Sequence, residues 1–160
     1  MAAQKYNARD CRFAIEDFNN PGTWTEFRTA EGGSGEGGIS TFQPGHEYET
    51  SDNTSFGSEG NAESQTMLIG KTLTLEGFRL KDPVTGALDA AQALAEAQAQ
   101  RLGTDSLCGF RFAAPGDANW TVWPQAHFQL GDSGGGGTND KANWSVTVTR
   151  SGGETTAAIA

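Results

Sequence analysis

Cys11, Phe13 and Ile15 alternate with Arg12, Ala14 and Glu16, the two-residue period of a strand with one buried face. Asn19, Asn20, Pro21 and Gly22 then supply turn chemistry, proline fixing φ and glycine accepting a positive value. Trp24–Ala30 alternates again, so the two runs are expected to pair as an N-terminal hairpin. The longest strand signal runs from Gln65 to Lys81, marked by Met67, Ile69, Leu73, Leu75, Phe78 and Leu80, with strict alternation over Thr72–Glu76. Gly70 and Gly77 within it read as bulges or bends.

After the turn residues Asp82–Gly86 the period changes from two to 3.6. Leu88, Ala91, Leu94, Ala95, Gln98 and Leu102 share one helical stripe, with Glu96 and Gln100 opposite. Seven alanines between 87 and 99 favour the helix; Asp89 falls in its first turn, Arg101 in its last, and Gly103 serves as the C-terminal cap. One helix over about 87–102 is therefore expected. Three strands follow: Ser106–Phe112, Trp120–Leu130 with Pro124 marking an edge or bulge, and a final alternation of Trp144, Val146 and Val148. The tail from Glu154 to Ala160 is small and polar, and reads as a free arm.

Between the hairpin and the long strand lies a different kind of sequence. Glu31–Gly38 is too rich in glycine to hold a fixed shape unaided. Ile39–Tyr48 reads as a short strand interrupted by Pro44 and Gly45, and the polar stretch 49–64 has Phe56 as its one aromatic beyond Tyr48. Residues 31–64 together look like one projecting loop, ordered on a partner. The whole is mainly β: a β-sandwich or partial barrel of about six to eight strands with one flanking helix.

At 160 residues the chain is one domain, with an N-terminal arm at 1–9 and a C-terminal arm at 152–160. Cys11 and Cys108 sit in strand-like runs and read as small buried hydrophobes; no CxxC or Cys/His cluster points to zinc. No run of about 18 apolar residues would span a membrane. The opening residues lack the apolar segment of a secretory signal, so assembly in a cytoplasm is the expectation. The net charge of −9 is uneven: residues 16–63 hold ten acids and one base, Arg28, while the rest balances. Such a field repels phosphates, which disfavours nucleic-acid reading.

The chemical motifs do not assemble into a catalyst. Gly131-Asp-Ser-Gly-Gly135 spells a serine-protease motif, but Ser133 needs a histidine base and a buried aspartate. The histidines are His46, in the acidic excursion, and His127, six residues upstream. Gly70-Lys71-Thr72 resembles a phosphate loop, yet Gln65 occupies the first glycine position and a strand follows. Asp132, Asn139 and Asp140 could offer oxygens to calcium, without a repeat or bidentate glutamate to support them. No enzymatic activity, metal or cofactor is expected.

Leu73-Thr-Leu-Glu-Gly-Phe-Arg-Leu-Lys-Asp-Pro-Val-Thr-Gly86, the Ala/Leu helix, and Gly131-Asp followed by Gly-Gly-Thr-Asn-Asp-Lys141 and Trp144-Ser-Val-Thr-Val-Thr-Arg-Ser-Gly152 form an ordered set. With Asn7–Arg9 and Gly22–Glu26, that set resembles the major tail (tail-tube) proteins of long-tailed siphophages, those infecting actinobacteria in particular. The resemblance covers most of 5–30 and 65–152.

The resemblance implies a structural virion protein, located in the tail and assembled in the host cytoplasm. Its subunits would form hexameric rings stacked into a hollow tube. Its partners would be further copies of itself, a tape-measure protein in the lumen, and terminator and baseplate or tip proteins at the ends. DNA would pass through without sequence-specific binding. In that setting the stacking candidates are Glu31, Glu36, Ile39, Phe42, Tyr48 and Phe56. The acidic lumen candidates are Glu26, Glu47, Glu49, Asp52 and Glu63, and the inter-subunit loop candidates are Asp132, Asn139, Asp140 and Lys141. The competing reading is a non-enzymatic sandwich that binds carbohydrate or protein through exposed Trp120 and Trp123.

Overall fold

A computed structural model describes residues 2–27 and 38–159, with the side chain of Arg9 left out. The described chain is mainly β with one α-helix. Its strands are β1 (Arg12–Glu16), β2 (Trp24–Glu26), β3 (Ile39–Asp52), β4 (Ser64–Phe78), β5 (Cys108–Ala113), β6 (Asn119–Ser133), β7 (Asn143–Arg150) and β8 (Thr155–Ala158). They form one antiparallel eight-stranded sheet in the order β2-β1-β5-β6-β7-β4-β3, with β8 paired to β6; it does not close into a barrel.

The N-terminal hairpin forms, Ala14 facing Glu26 and Glu16 facing Trp24, with the second strand ending at Glu26; residues 28–30 of the expected Trp24–Ala30 run lie outside the described residues. Phe13 and Ile15 turn inward onto Phe110, Trp123, Phe128, Val146 and Val148, where Leu73 and Leu75 complete the core. Both cysteines are free and buried in this core region. Pro124 lies in a bulge, because Cys108 to Phe110 on β5 faces Ala126 to Trp123 on β6, three steps against two. The bulge restores the inward phase, so Trp123, Ala126 and Phe128 all face the core.

Several expectations need correction. The projecting loop at 31–64 is largely a ribbon. Of it, residues 31–37 lie outside the described residues, but 39–52 form one continuous strand paired along its length with β4. Pro44 and Gly45 do not interrupt the strand; they face Leu73 and Thr72. Proline is tolerated because β3 is the outermost strand and needs hydrogen bonds on one side only. Among the described residues of this stretch, 53–63 is the loop between the strands, with a 3-10 turn at Phe56–Ser58.

The bulge expected at Gly70 is instead at Met67: Glu49 faces Leu68 while Thr50 faces Thr66, leaving one extra residue between them. Gly77 does mark an irregularity, and its role is steric. A Cβ there would lie 1.8 Å from the Gly38 carbonyl oxygen.

The helix α1 spans Ala90–Ala99, shorter than 87–102 at both ends, and Gly103 opens a 3-10 turn at φ 66. Its buried face is Ala91, Gln92, Ala95 and Gln98, so Leu102 is left exposed. This is the expected stripe of Ala91, Leu94, Ala95 and Gln98 with Gln92 added, Leu94 packing against the core and Leu102 lying past the helix end. The Gln92 amide donates to the Phe78 carbonyl at 2.9 Å and accepts from the Leu80 amide at 3.0 Å, tying α1 to the end of β4. Glu96 is not solvent-directed either, as described below. The C-terminal arm expected to be free carries β8, which pairs Thr155–Ala158 with Val122–Asn119. Trp120 and Trp123 are 3% and 2% exposed, so neither forms a stacking platform.

Candidate functional site

The sheet has two faces of opposite character, and their phase determines what each copy presents. On β4, Leu73 and Leu75 point into the core. Directly paired residues of an antiparallel ladder share a face, so Phe42 opposite Leu75 also packs inward, its ring 5.0 Å from that of Phe13. Ile39 packs against the same core. The face then continues outward, carrying His46 opposite Lys71 and Tyr48 opposite Ile69. β7 supports β4 only over Thr72–Phe78. Beyond that point the ribbon extends unsupported for roughly 20 Å, at about 3.3 Å per residue.

Tyr48 is thus 61% exposed and Ile69 50% exposed although they lie on the core-facing side of their strands. Met67, Leu68 and, at the tip, Phe56 are exposed as well. The opposite face of the ribbon carries Glu47 opposite Gly70 and Glu49 opposite Leu68. Residues 43–70 hold five acids (Glu47, Glu49, Asp52, Glu59, Glu63) and no lysine or arginine. Asp52 organises the tip: hydrogen bonds from Thr54 hold its carboxyl below the usual range. The Thr54 hydroxyl in turn accepts from the Glu63 amide at 2.9 Å.

The base of the ribbon is clamped. Arg150 donates to the Ile69 carbonyl at 2.9 Å and to Glu154 at 3.2 Å, and Glu154 also accepts from Lys71. The ribbon therefore leaves the sheet at an angle tied to the segment that leads into β8.

On the non-core side, the half of the sheet near β3 is paved with hydroxyls. Thr72 faces Thr149, and Thr74 faces Thr147 with their Oγ1 atoms 3.3 Å apart. The half near β2 is paved with arginine and tryptophan. The Arg111 guanidinium lies 4.5 Å from the centre of the Trp24 ring and 4.4 Å from that of Trp120, and Arg12 lies 4.6 Å from Trp120. Ala14 and Ala113 are buried beneath, small enough to admit the stack.

The expected site residues therefore separate. Tyr48 and Phe56 are on the exposed ribbon, whereas Ile39 and Phe42 belong to the core margin. Glu31 and Glu36 lie outside the described residues. Glu47, Glu49, Asp52 and Glu63 gather on the ribbon and its tip; Glu26 is at the far edge of the sheet, ion-paired with Arg12. Asp132, Asn139, Asp140 and Lys141 are exposed at the end of β6 and on the loop into β7, where the Asp140 carboxylate accepts from the Gly137 amide.

Ser133 makes a structural contact, donating its hydroxyl to Glu96 at 3.0 Å. His127 is about 20 Å away along β6 at the usual rise per residue. Glu96 also accepts from Trp144 Nε1 at 3.1 Å and from both arms of the Arg79 fork at 3.2 Å. Periodicity had placed Glu96 on the solvent side and offered no sign of this four-way junction.

No family model matches the chain, and no curated protein matches it in sequence. Solved structures do match. A chain from the tail of an empty gene transfer agent particle, refined helically with C6 symmetry, superposes with a TM-score of 0.65 at 16% identity, over 96% of this chain and 100% of that one. A chain from the virion of a native gene transfer agent particle gives 0.61 at 17%, with the same coverage. One from the six-fold symmetrised baseplate of the anti-feeding prophage gives 0.57 at 13%, covering 98% of each. The fold is one found in tail particles. The match spans nearly the whole of this chain and of each of those chains.

Proposed function

We propose that the chain is a structural subunit of a phage-like tail, with no catalytic role, that forms hexameric rings stacked into a hollow tube. One observation carries the reading. The core-facing stripe of β3 and β4 runs past the end of the sheet and exposes Tyr48 and Ile69, in a fold matched almost end to end by a chain of a C6 tail. A monomeric protein gains nothing from extending its core stripe into solvent, whereas an assembling one keeps it in reserve for a neighbour.

The sequence resemblance to siphophage major tail proteins supports the finer version: a tube built in the host cytoplasm, ending in the virion tail. A tape-measure protein would fill its lumen and terminator and tip proteins would close its ends. DNA would then slide past acidic and hydroxyl surfaces that offer phosphates no grip. The test is direct. The purified chain is concentrated at several salt concentrations and viewed by electron microscopy, with mass measured by light scattering. Six-fold rings or tubes are expected. Compact monomers under every condition would overturn the reading.

A further inference from the structure

Arg111 is a cation held by faces alone. Its guanidinium is stacked between Trp24 and Trp120, and it makes no hydrogen bond or ion pair among the described residues. Its Nε is buried without a partner, while the terminal N–H donors of the guanidinium are not closed off in that way and remain for an acceptor. Its neighbour Arg12 differs, because Glu26 already satisfies it. Burial between the indoles lowers the Arg111 pKa, with Glu26 acting in the opposite direction, so a further carboxylate would offset a real desolvation cost.

The complementary group is on the same molecule but cannot reach. Glu47 and Glu49 are exposed, have no ion pair among the described residues, and project from β3 on the same non-core face of the sheet as Arg111. From β5 to β3 is four strand spacings, about 19 Å at roughly 4.8 Å each, so no contact forms within one chain. The two groups do lie towards opposite edges of that face, β3 ending the sheet on one side and β2 on the other. Setting the β3 edge of one copy beside the β2 edge of the next, with the same face of each sheet on the same side, puts the ribbon carboxylates three strand spacings from Arg111, about 14 Å at roughly 4.8 Å each, a gap that an extended glutamate and an arginine leaning towards Trp24 can bridge. Such a contact is head-to-tail, the kind that closes into a ring.

We propose that Arg111 is the socket for a ribbon carboxylate, Glu47 or Glu49, of a second copy of this chain. The proposal rests on the assembly reading above and adds to it the lateral contact between neighbours. The stack fixes the guanidinium before docking, so little side-chain freedom is lost when the carboxylate arrives.

The test uses R111K, which keeps the charge and supplies a reactive amine. Equal amounts of unlabelled and 15N-labelled R111K chain are assembled together and treated with a zero-length carbodiimide, and the peptides are analysed by mass spectrometry. Hybrid light–heavy peptides joining residue 111 to Glu47 or Glu49 are expected. Links confined to single chains, for example to Glu31 or Glu36, or assemblies without any residue-111 link, would overturn the proposal. E47Q/E49Q, altered only at exposed positions, provides a second arm that decides the matter if R111K does not assemble. It should raise the concentration for half-assembly at least tenfold while leaving the melting temperature unchanged, and unchanged assembly would overturn the contact. A wild-type chain that never assembles removes the tail-subunit reading as well; one that assembles alongside an equally competent E47Q/E49Q removes the Arg111 contact alone.

Discussion

Tyr48 stands directly opposite Ile69 on the ribbon, on the face that carries Leu73 and Leu75 into the core, yet both remain largely in solvent. Burial in the monomer therefore does not explain their apolar character. The double substitution Tyr48→Ser/Ile69→Ser should change unfolding free energy by no more than about 0.5 kcal/mol, the usual range for surface positions. It should nevertheless abolish rings and tubes or raise the assembly threshold more than tenfold. Thermal melts and sedimentation on the same samples separate the two effects. Normal assembly of the variant would remove the ribbon stripe from the interface.

Gln92 is 1% exposed on the helix face it shares with Ala91, Ala95 and Gln98, and its amide continues the backbone pairing past the end of β4. Gln92→Leu keeps a similar volume but strands the Leu80 amide and the Phe78 carbonyl in the protein interior. Leaving such groups unpaired costs about 2 kcal/mol. Urea unfolding should show a lower midpoint at unchanged slope. An unchanged midpoint would mean that water replaces the glutamine.

The strands of the core were legible because alternation at Phe13/Ile15, Leu73/Leu75 and Val146/Val148 is decided by local phase. The turns at Gly22 and Asp82–Gly86 were legible from their chemistry, and Gly22 indeed has φ 93. What alternation could not show is how far a strand's inward face has anything to pack against. Tyr48 and Ile69 carry the same signal as Leu75 and differ only in lying past the end of β7. The pairing of 39–52 was hidden by Pro44 and Gly45, which read as breakers until β3 is known to be an edge strand. The β8 pairing was hidden by its small residues: Ala157 has little hydrophobic signal, and packs because Trp120 and Trp24 provide the surface. The Arg111 stack and the Glu96 junction join residues scattered over the whole chain, and a one-dimensional pattern contains no trace of them.

Glu96 sets a pH dependence. Burial alone would raise its carboxyl, but hydrogen bonds from Arg79 and Ser133, the charge of Arg79 and the Trp144 bond outweigh this and hold it below the ordinary value of 4.5. A carboxyl with a depressed folded pKa contributes stability that is present above its unfolded pKa and lost as pH falls through the folded one. Wild type should therefore exceed Glu96→Gln by about 1–2 kcal/mol near neutral pH, the range for charge-assisted hydrogen bonds in a partly buried site. The difference should shrink progressively below about pH 4.5. Chemical denaturation of both proteins between pH 7 and pH 3 checks it; a constant difference would mean that packing, not charge, fixes this corner.

The two thiols report on the core. Cys108 is buried beside Phe110, and burial, with the charge of Glu16 adding to it and that of Arg101 opposing, pushes its thiol up to about 12. Cys11 is also raised, by burial and by Asp10 and Asp117. The thiolate is the reactive form, and a thiol of pKa about 12 is ionised at pH 8 to only about one part in ten thousand. Alkylation by iodoacetamide at pH 8 should therefore run at least 100-fold slower in the native chain than in urea, with both cysteines labelled only as the domain opens. Because β5 lies in the middle of the sheet, the native labelling rate of Cys108 should follow global stability and rise in Gln92→Leu. Rapid labelling of Cys108 in the folded wild type would show instead that β5 opens locally, independently of the rest of the sheet.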